Sequence, residues 1–251
     1  MHDITWHGII VAIGLFLGFM SGMFGIGGGL IGTPLLALAG LPPFLALATP
    51  LPAALPSALS GSYIYYRERL IHFPLLWKTL LTALPFNLLG AWATTFATGA
   101  AMMYFTGGLI LVIGSTFFVR GWMLKPAGEE QPRVGWLSTV TAGAAAGFLS
   151  GFLAIGGGMI LVPMFVKVNK LPLKNALATS LLCVAALSIP GSVAHLYLGH
   201  INLYIALILT ICVIPAANVG ARMAVKLRNA TLERIYGVWM ILFAIYFLAT
   251  R

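Results

Sequence analysis

The sequence predicts an all-α, polytopic membrane protein, on the strength of its composition and of several long apolar runs. Hydrophobic residues make up 60% of the 251 residues, charged residues only 8%, and the mean hydropathy is +1.00. A soluble domain of this length would need more polar surface, so the spare apolar surface is expected to face the lipid bilayer. A bilayer core about 30 Å thick requires about 20 helical residues for each span. Runs of that length occupy residues 73–95, 102–119, 173–198, 201–221 and 232–249.

The composition also excludes several other classes of protein. The net charge of +9 does not indicate a nucleic-acid partner, because the basic residues stand singly between apolar runs. Cys183 and Cys212 both lie inside apolar runs, so they indicate neither a disulfide nor a metal site. The sequence contains no Walker A lysine, no HExxH and no GxSxG motif. We therefore expect no enzyme activity, no catalytic residues, no metal ligands and no cofactor.

An internal repeat divides the chain into two modules. Residues 18–36 read GFMSGMFGIGGGLIGTPLL and residues 147–165 read GFLSGFLAIGGGMILVPMF, with ten of the 19 positions identical. The match continues beyond these segments, since the Ala-Thr pair at position 48 recurs 130 positions later at 178. The predicted domains are a first membrane repeat at 1–125, a linker at 126–134 and a second membrane repeat at 135–251.

Lysine and arginine set the expected orientation of the spans, because these residues concentrate in cytoplasmic connections. If the connections that contain them are cytoplasmic, 13 of the 14 basic residues fall inside and only Arg251 falls outside. This arrangement places the linker at 124–133 in the cytoplasm and both termini on the outer side of the inner membrane. It also requires residues 8–39 and 135–166 each to enter and leave on one side, as a hairpin folded at its glycine-rich break.

The two modules then run through the membrane in opposite directions. On this scheme residues 44–66 run from outside to inside, and the matching residues 173–198 run from inside to outside. The predicted fold is therefore two inverted-topology repeats, each with a glycine-broken hairpin plus three transmembrane helices. Many secondary transporters have repeats of this kind.

The glycine breaks are predicted to form the substrate site. Unpaired backbone groups cost several kcal/mol inside a bilayer, so a break is tolerated only where protein or a water-filled cavity surrounds it. The return helices should begin at Leu30 and Met159, with free N–H groups and a partial positive charge directed toward mid-membrane. Two such termini from opposite sides favour a bound anion. The alternative is that these glycines serve only close helix packing.

The candidate substrate-binding residues combine the break glycines with polar side chains of the same modules. They are Ser21, Gly27, Gly28, Gly29, Thr49, Asn87, Ser150, Gly156, Gly157, Gly158, Thr179, Ser180 and Asn218. Thr33, Ser57 and Ser188 are further candidate hydroxyls, although each hydroxyl could instead bond its own helix backbone. No charged side chain is expected near mid-membrane, which argues against a carboxylate-based cation pathway. We interpret His195 as an interfacial residue, although a histidine there could relay protons.

The paired glycine motifs, each with a proline five residues on, an Ala-Thr pair and a later Gly-Ala pair, resemble the sulfite exporter TauE/SafE family. The resemblance covers almost the whole chain. It implies an integral membrane carrier for small sulfur-containing or carboxylate anions, such as sulfite, organosulfonates, thiosulfate or oxalate. The family pattern points to the break glycines with Pro34 and Pro163, and to Thr49, Thr179 and Ser180. Here Thr49 precedes a proline, where the family often has Thr-Ser.

We predict a secondary active transporter of small sulfur-containing anions across the cell inner membrane by alternating access. In this mechanism one inverted module rocks against the other around the paired hairpins. Since no nucleotide site is present, H⁺ or Na⁺ could be the coupling ion. Two alternatives stay open: an anion channel lined by the same amides, and a non-transporting structural subunit of a membrane complex. The sequence leaves the substrate, the direction of transport and the oligomeric state open.

Overall fold

The computed structural model describes residues 4–120 and 135–228, together with 231–232, 235 and 238. This part of the chain is helical and contains no strand, which confirms the predicted all-α class. The helices are α1 (Ile4–Phe24), α2 (Gly29–Leu38), α3 (Pro43–Ala48), α4 (Pro50–Arg67), α5 (Phe73–Ala93), α6 (Gly99–Arg120), α7 (Trp136–Leu153), α8 (Gly158–Lys167), α9 (Leu173–Tyr197) and α10 (Leu203–Lys226). Five helical segments of the described chain are long and apolar enough to cross a membrane. The predicted linker at 126–134 and most of the span predicted at 232–249 lie outside the described residues.

Polar side chains fix the starts of two long helices. α5 begins after His72, whose Nδ1 accepts a hydrogen bond from the Leu75 amide at 3.2 Å. α10 begins after Asn202, whose side-chain oxygen accepts one from the Ile205 amide at 3.1 Å. Each is an N-cap that satisfies an amide with no partner inside its helix.

The proline-rich segment expected as one span at 44–66 forms two helices. α3 ends at Ala48 and α4 begins at Pro50, with Thr49 between them. Pro50 has no amide hydrogen, and the first turn of a helix tolerates proline because its amides have no helical partner. The two pieces together are still long enough to cross a membrane.

Each glycine break folds its segment back on itself. Trp6, near the start of α1, donates from Nε1 to the Ala39 carbonyl just after α2, at 3.1 Å. Asn169, just after α8, donates from Nδ2 to Thr139 Oγ1 in the first turns of α7, at 3.2 Å. The end of each return helix therefore lies beside the start of the helix that precedes it. This is the hairpin geometry that the sequence predicts.

The two repeats interlock through glycine-lined helix faces. α1 packs along α10 and α5 packs along α7, and these are the most extensive helix pairs of the described chain. The glycines of these faces, four residues apart, are Gly14, Gly18 and Gly22 on α1 and Gly143, Gly147 and Gly151 on α7. A Cβ at Gly18 would stand 2.6 Å from Val213 Cα, and one at Gly147 would stand 2.6 Å from Ala83 Cα. Small residues at this spacing let helix backbones approach closely in a membrane.

The contacts between the halves are reciprocal. Gly22 of the first repeat faces Ala217 of the second, and Gly151 of the second faces Asn87 of the first. Gly22 and Gly151 match in the repeat, and so do Asn87 and Ala217, so each contact is a copy of the other with the repeats exchanged. A two-fold relation between two like units produces contacts of this kind.

The interlock groups six of the helices in two bundles, each with helices from both repeats, and the bundles are joined by a contact between α4 and α9 that is as extensive as that between α5 and α9. One bundle contains α1, α4 and α10, and the other contains α5, α7 and α9. The bundles meet where α4 packs on α9 and where the two glycine breaks touch.

Candidate functional site

The two glycine breaks lie in direct backbone contact. A Cβ at Gly29 would overlap the Ala154 carbonyl oxygen, and a Cβ at Gly158 would overlap the Gly25 carbonyl oxygen. These contacts are again reciprocal between the repeats. α2 begins at Gly29 and α8 at Gly158, each one residue earlier than the sequence predicts. The N-terminus of each return helix therefore abuts the opposite break.

Left-handed backbone conformations at both breaks explain why glycine is needed there. The φ angle is 64° at Gly25, 72° at Gly27, 78° at Gly156 and 77° at Gly157. Glycine adopts such angles at little steric cost, whereas other residues rarely do. Ala154, which matches Gly25, has a φ of 51° in spite of its Cβ. The second break therefore holds a strained residue at the position where the first has glycine.

At least four consecutive backbone amides in each break have no hydrogen-bond acceptor among the described residues. They include those of residues 26–29 and 155–158, and all eight of these residues are buried. Leaving a buried donor unpaired costs about 1–3 kcal/mol, and native structures rarely do so. Clustered amides at helix N-termini attract anions, because their N–H groups and the helix dipole both favour negative charge. The breaks thus offer a set of donors that a small anion would satisfy.

A small cavity adjoins the first break on its α4 side. Its volume is about 10 Å³, which is room for about one water molecule. The residues that line it are Leu17, Gly28, Pro50, Ala53, Ala54, Ser57, Leu209 and Val213. The Ser57 hydroxyl is buried and has no hydrogen-bond partner. The cavity therefore combines a break glycine with a free hydroxyl and otherwise apolar walls.

A size difference between two matching residues of the repeats helps to form this cavity. Val184, in the middle of α9, packs against both breaks. Its Cγ1 would stand 2.9 Å from a Cβ at Gly27 and 3.0 Å from one at Gly156. The matching residue of α4 is Ala54, which lines the cavity. The smaller alanine side chain leaves space beside the first break that valine fills on the α9 side.

The hydroxyls of Thr49 and Thr179 bond to the backbone of the opposite repeat. Thr179 Oγ1 accepts a hydrogen bond from the His72 amide at 3.0 Å, and Thr49 Oγ1 accepts one from the Asn202 amide at 3.1 Å. His72 and Asn202 are the N-cap residues of α5 and α10. Both threonines are fully buried. Each of these two candidate residues therefore joins the repeats, and Thr179 Oγ1 also donates to the Asn175 carbonyl of its own helix at 2.7 Å.

Replacing Thr49 or Thr179 with valine is expected to lower the free energy of unfolding by about 1–3 kcal/mol, because each change leaves a buried N-cap amide without its acceptor. Anion affinity should change little. Thermal unfolding in detergent measures the first effect and a binding titration the second. Thr106→Val is the matched control, since the buried Thr106 hydroxyl only donates to the Met102 carbonyl of its own helix. A loss of anion affinity with unchanged stability would instead mean that these threonine hydroxyls bind the substrate.

Four other candidate side chains lie at or near the breaks. Ser180 Oγ donates to the Gly25 carbonyl at 3.1 Å, so it contacts the first break directly. Ser150 Oγ accepts from Asn87 Nδ2 at 3.1 Å, one turn before the second break. Asn87 Oδ1 and Ser21 Oγ are buried without a partner. Asn87 and Ser21 thus have hydrogen-bonding capacity to spare.

The structure also places two other polar residues of the spans. Asn218 is half-buried on α10, and no described contact brings it to the breaks. His195, which we interpreted as an interfacial residue, lies near the end of α9 with its side chain fully buried and its Nε2 2.8 Å from the Gly151 carbonyl oxygen. A signal for this burial was present in the sequence: His195 matches Tyr65 at the repeat spacing of 130.

Charged side chains gather at one end of the described bundle. An open cleft of about 360 Å³ is lined by Ile64, Arg67, Glu68 and Arg222, where α4 ends and α10 nears its end. A second cleft of about 310 Å³ lies beside it, lined in part by Arg67 and Arg69. Such clefts raise the local concentration of small anions.

Long apolar helices and buried glycine breaks between them are features of a multi-pass helical membrane protein. The family model described as "Sulfite exporter TauE/SafE" matches residues 10–247. The chain belongs to the sulfite exporter TauE/SafE family.

Curated relatives are similar over nearly their full length. A probable membrane transporter protein of Xylella fastidiosa (strain Temecula1) is 28% identical, covering 96% of this chain and 95% of the relative. The probable membrane transporter protein YunE of Bacillus subtilis is 24% identical over 93% of this chain and 94% of its own length. A probable membrane transporter protein of Methanocaldococcus jannaschii is 23% identical over 87% of this chain and 86% of its own length. No solved structure matches the chain significantly.

Proposed function

We propose that this protein is a secondary active transporter of small sulfur-containing anions, such as sulfite or an organosulfonate, across the cell inner membrane. The observation that carries the proposal is the set of eight buried, unpaired backbone amides at the two touching glycine breaks. Family membership and the names of the relatives support the class of membrane transporter.

Backbone amides suit a weakly hydrated anion that must also leave the site. Hydrogen bonds to an ionised group contribute about 1.5–3 kcal/mol each, so a few amides can hold an anion without a buried lysine or arginine. A fixed cation in the bilayer core would be costly while the site is empty. The free hydroxyls of Ser57 and Ser21 could add further donors on the first-repeat side.

In this proposal the structure corresponds to a conformation with the substrate site closed. Room for about one water molecule beside Gly28 is too little for a sulfur oxyanion, so substrate entry requires the walls to separate. The interlocked packing makes whole repeats unsuitable as the moving bodies, because α1 and α7 are each pressed against helices of the other repeat. Alternating access then takes place between the two bundles, with the breaks and the α4–α9 contact at the boundary.

An inverted arrangement of the repeats in the membrane is part of this proposal. The reciprocal contacts of the breaks and of the glycine-lined helices support a two-fold relation between the repeats. The distribution of lysine and arginine supports an axis in the membrane plane, with the linker in the cytoplasm and both termini outside. Each bundle would then contribute one return helix to the site from opposite sides.

Gly28→Ala is expected to weaken anion binding and transport by about tenfold or more while the fold is retained. Gly28 has a φ of −75°, and the nearest atom to an added Cβ is Leu17 Cβ at 3.7 Å, so a methyl group fits. It would, however, occupy the cavity and keep an anion from at least one amide, a loss of about 1.5–3 kcal/mol. The measurement is uptake of labelled sulfite or thiosulfate into proteoliposomes, together with a thermal melt.

Gly8→Ala is the matched control, because an added Cβ at Gly8 meets no atom within 4 Å. If Gly28→Ala transports like the control, the site beside Gly28 is wrong. Saturable uptake that stops at a fixed ion stoichiometry supports a transporter, whereas a non-saturating conductance supports the channel alternative. Absence of flux and binding for every anion tested would favour a structural subunit.

A further inference from the structure

His195 occupies an unusual position for a titratable side chain. It lies in α9, is fully buried, and its Nε2 is 2.8 Å from the carbonyl oxygen of Gly151. Gly151 belongs to the last turn of α7, directly before the second glycine break. The imidazole is therefore bonded to the backbone that leads into the proposed anion site.

At the matching position of the first repeat, the side chain makes the same kind of bond with a structural role only. Tyr65 matches His195 at the repeat spacing, and Gly22 matches Gly151. Tyr65 Oη donates to the Gly22 carbonyl at 2.9 Å and is also fully buried. Tyrosine thus ties α4 to the end of α1 without a group that titrates near neutral pH. Histidine makes the same bond in the second repeat and adds a second ring nitrogen.

That second nitrogen has its own partner. Nδ1 of His195 lies 3.2 Å from Nδ1 of His200, which is half-buried in the connection after α9 and stacked on Phe44 at a ring separation of 4.5 Å. The residue that matches His200 in the first repeat is Leu70, which cannot bind a proton. The second repeat has therefore gained two adjacent imidazoles where the first has a tyrosine and a leucine.

Hydrogen-bond chemistry fixes which nitrogen carries which proton in the neutral pair. A carbonyl oxygen only accepts, so Nε2 of His195 must carry a hydrogen. In the neutral ring Nδ1 of His195 is then an acceptor, and the hydrogen between the rings belongs to Nδ1 of His200. The Gly151 carbonyl, His195 and His200 thus form a chain of two hydrogen bonds. One ring nitrogen, Nε2 of His200, is left that can accept a proton.

The surroundings of the pair contain no charged partner among the described contacts. The described neighbours are the Gly151 carbonyl from α7 and Phe44 from α3, and the amide side chain of Asn87 from α5 lies beside Gly191, one turn before His195 on α9. Asn87 Oδ1 is buried without a partner. Burial lowers the pKa of His200, because the half-buried ring is less well solvated in its charged form.

We propose that the His195–His200 pair is a proton-binding site that couples H⁺ to anion transport. The step is a relay: a proton from solvent binds Nε2 of His200 while the Nδ1 proton of His200 moves to Nδ1 of His195. His195 then carries both ring protons and one positive charge, and His200 is neutral again. This inference rests on the proposed function, because the anion supplies the opposite charge that makes a buried imidazolium tolerable.

The geometry links this charge to the anion site. Ser150 precedes Gly151 on α7. A Cβ added at Gly157, in the second break, would stand 3.3 Å from the Cβ of Ser150. A charged His195 strengthens its bond to the Gly151 carbonyl and places a cation within the bundle that carries the second break. Proton and anion therefore favour each other's binding, which is the requirement for coupled movement.

The test restores the first-repeat residues. In His195→Tyr the bond to Gly151 can persist, as it does at Tyr65, but the proton site is gone; in His200→Leu the relay to solvent is gone. Thiosulfate is the transport probe because it does not titrate near neutral pH, and proteoliposomes have equal pH on both sides. Wild-type flux should fall about tenfold per pH unit as pH rises past the pKa of the pair. Flux by either variant should vary less than about twofold over roughly pH 5–8.

Imidazole spectra test the site without depending on transport. Protein labelled with ¹⁵N-histidine, in nanodiscs, should show His195 gaining a second ring proton as pH falls, more readily when thiosulfate is present. Exchange of that proton with water should slow at least about tenfold in His200→Leu. Tyr65→Phe is the structural control: it removes the equivalent bond in the first repeat and should lower stability without changing the pH profile.

Two results would overturn the proposal. One is a His195 ring that stays neutral over roughly pH 5–8 with and without thiosulfate. The other is a folded His195→Tyr variant that keeps the wild-type pH dependence of flux. If the wild-type protein moves no thiosulfate, the proposed function fails for this anion, and the imidazole spectra still decide the proton site.

Discussion

Gly151→Ala is expected to lower the free energy of unfolding by about 3 kcal/mol and the melting temperature by roughly 5–10 °C. An added Cβ would overlap the Asn87 carbonyl oxygen, and this neighbour is helix backbone that cannot turn aside. α7 and α5 must then separate along their whole contact. Gly22→Ala should behave in the same way, since its Cβ would overlap the Ala217 carbonyl oxygen of α10. Thermal unfolding of the purified protein measures both.

The control for this pair is Gly8→Ala on the same helix as Gly22, where an added Cβ meets no atom within 4 Å. Equal melting temperatures for Gly151→Ala and Gly8→Ala would contradict the interlocked packing. A mild effect of Gly22→Ala beside a severe effect of Gly151→Ala would contradict the reciprocity of the two contacts.

Gly158→Ala is expected to abolish anion binding, with affinity at least about a hundredfold lower. The added Cβ would overlap the Gly25 carbonyl oxygen and stand 2.9 Å from Ile26 Cα, so the two breaks must move apart. Two or more amides then lose a shared anion, at about 1.5–3 kcal/mol for each bond to an ionised group. Gly29→Ala should have the same effect, because its Cβ would stand 2.7 Å from Ile155 Cα. A titration of purified protein with sulfite or thiosulfate measures the change.

Gly28→Ala is the milder variant for comparison, since it adds a methyl group beside Gly29 in the first break without a backbone overlap. Its loss should be smaller than that of Gly158→Ala. Wild-type affinity in a folded Gly158→Ala protein would mean that the contact between the breaks does not form the anion site. The melting temperature of each variant separates a loss of the site from a loss of the fold.

Several features of the fold could be predicted from the sequence because they depend on local chemistry and on the repeat. The hairpins follow from the charge distribution and the glycine motifs, and the bonds of Trp6 to Ala39 and of Asn169 to Thr139 confirm the predicted geometry. The starts of the return helices were predicted to within one residue. Hydropathy alone indicated the all-α class.

The pairing of helices across the repeats could not be predicted with the same certainty, because many apolar faces could pack together. The signal that specifies it is the spacing of Gly14, Gly18 and Gly22, repeated at Gly143, Gly147 and Gly151, which marks faces suited to close approach. Which helix packs on such a face depends on how well the two surfaces fit, and that fit cannot be read from residue spacing alone. Modules defined by the repeat therefore differ from the bundles that form.

The roles of individual polar residues were the least predictable part of the site. Thr49 and Thr179 have the residue type and the depth of substrate ligands, yet each accepts a hydrogen bond from an N-cap amide far away in sequence. His195 matches Tyr65 at the repeat spacing, but the bonds of the two residues to matching carbonyls are visible only in the structure. Such contacts depend on tertiary structure rather than on local pattern.

The central claim, that the amides of the two breaks bind an anion, is tested most directly by NMR of protein labelled with ¹⁵N-glycine and titrated with sulfite or thiosulfate. The amide signals of Gly27, Gly28 and Gly29, and of Gly156, Gly157 and Gly158, should shift together and saturate at one common affinity. The Gly8 signal should not move. Saturable binding that shifts other signals and leaves these six unchanged would contradict the account.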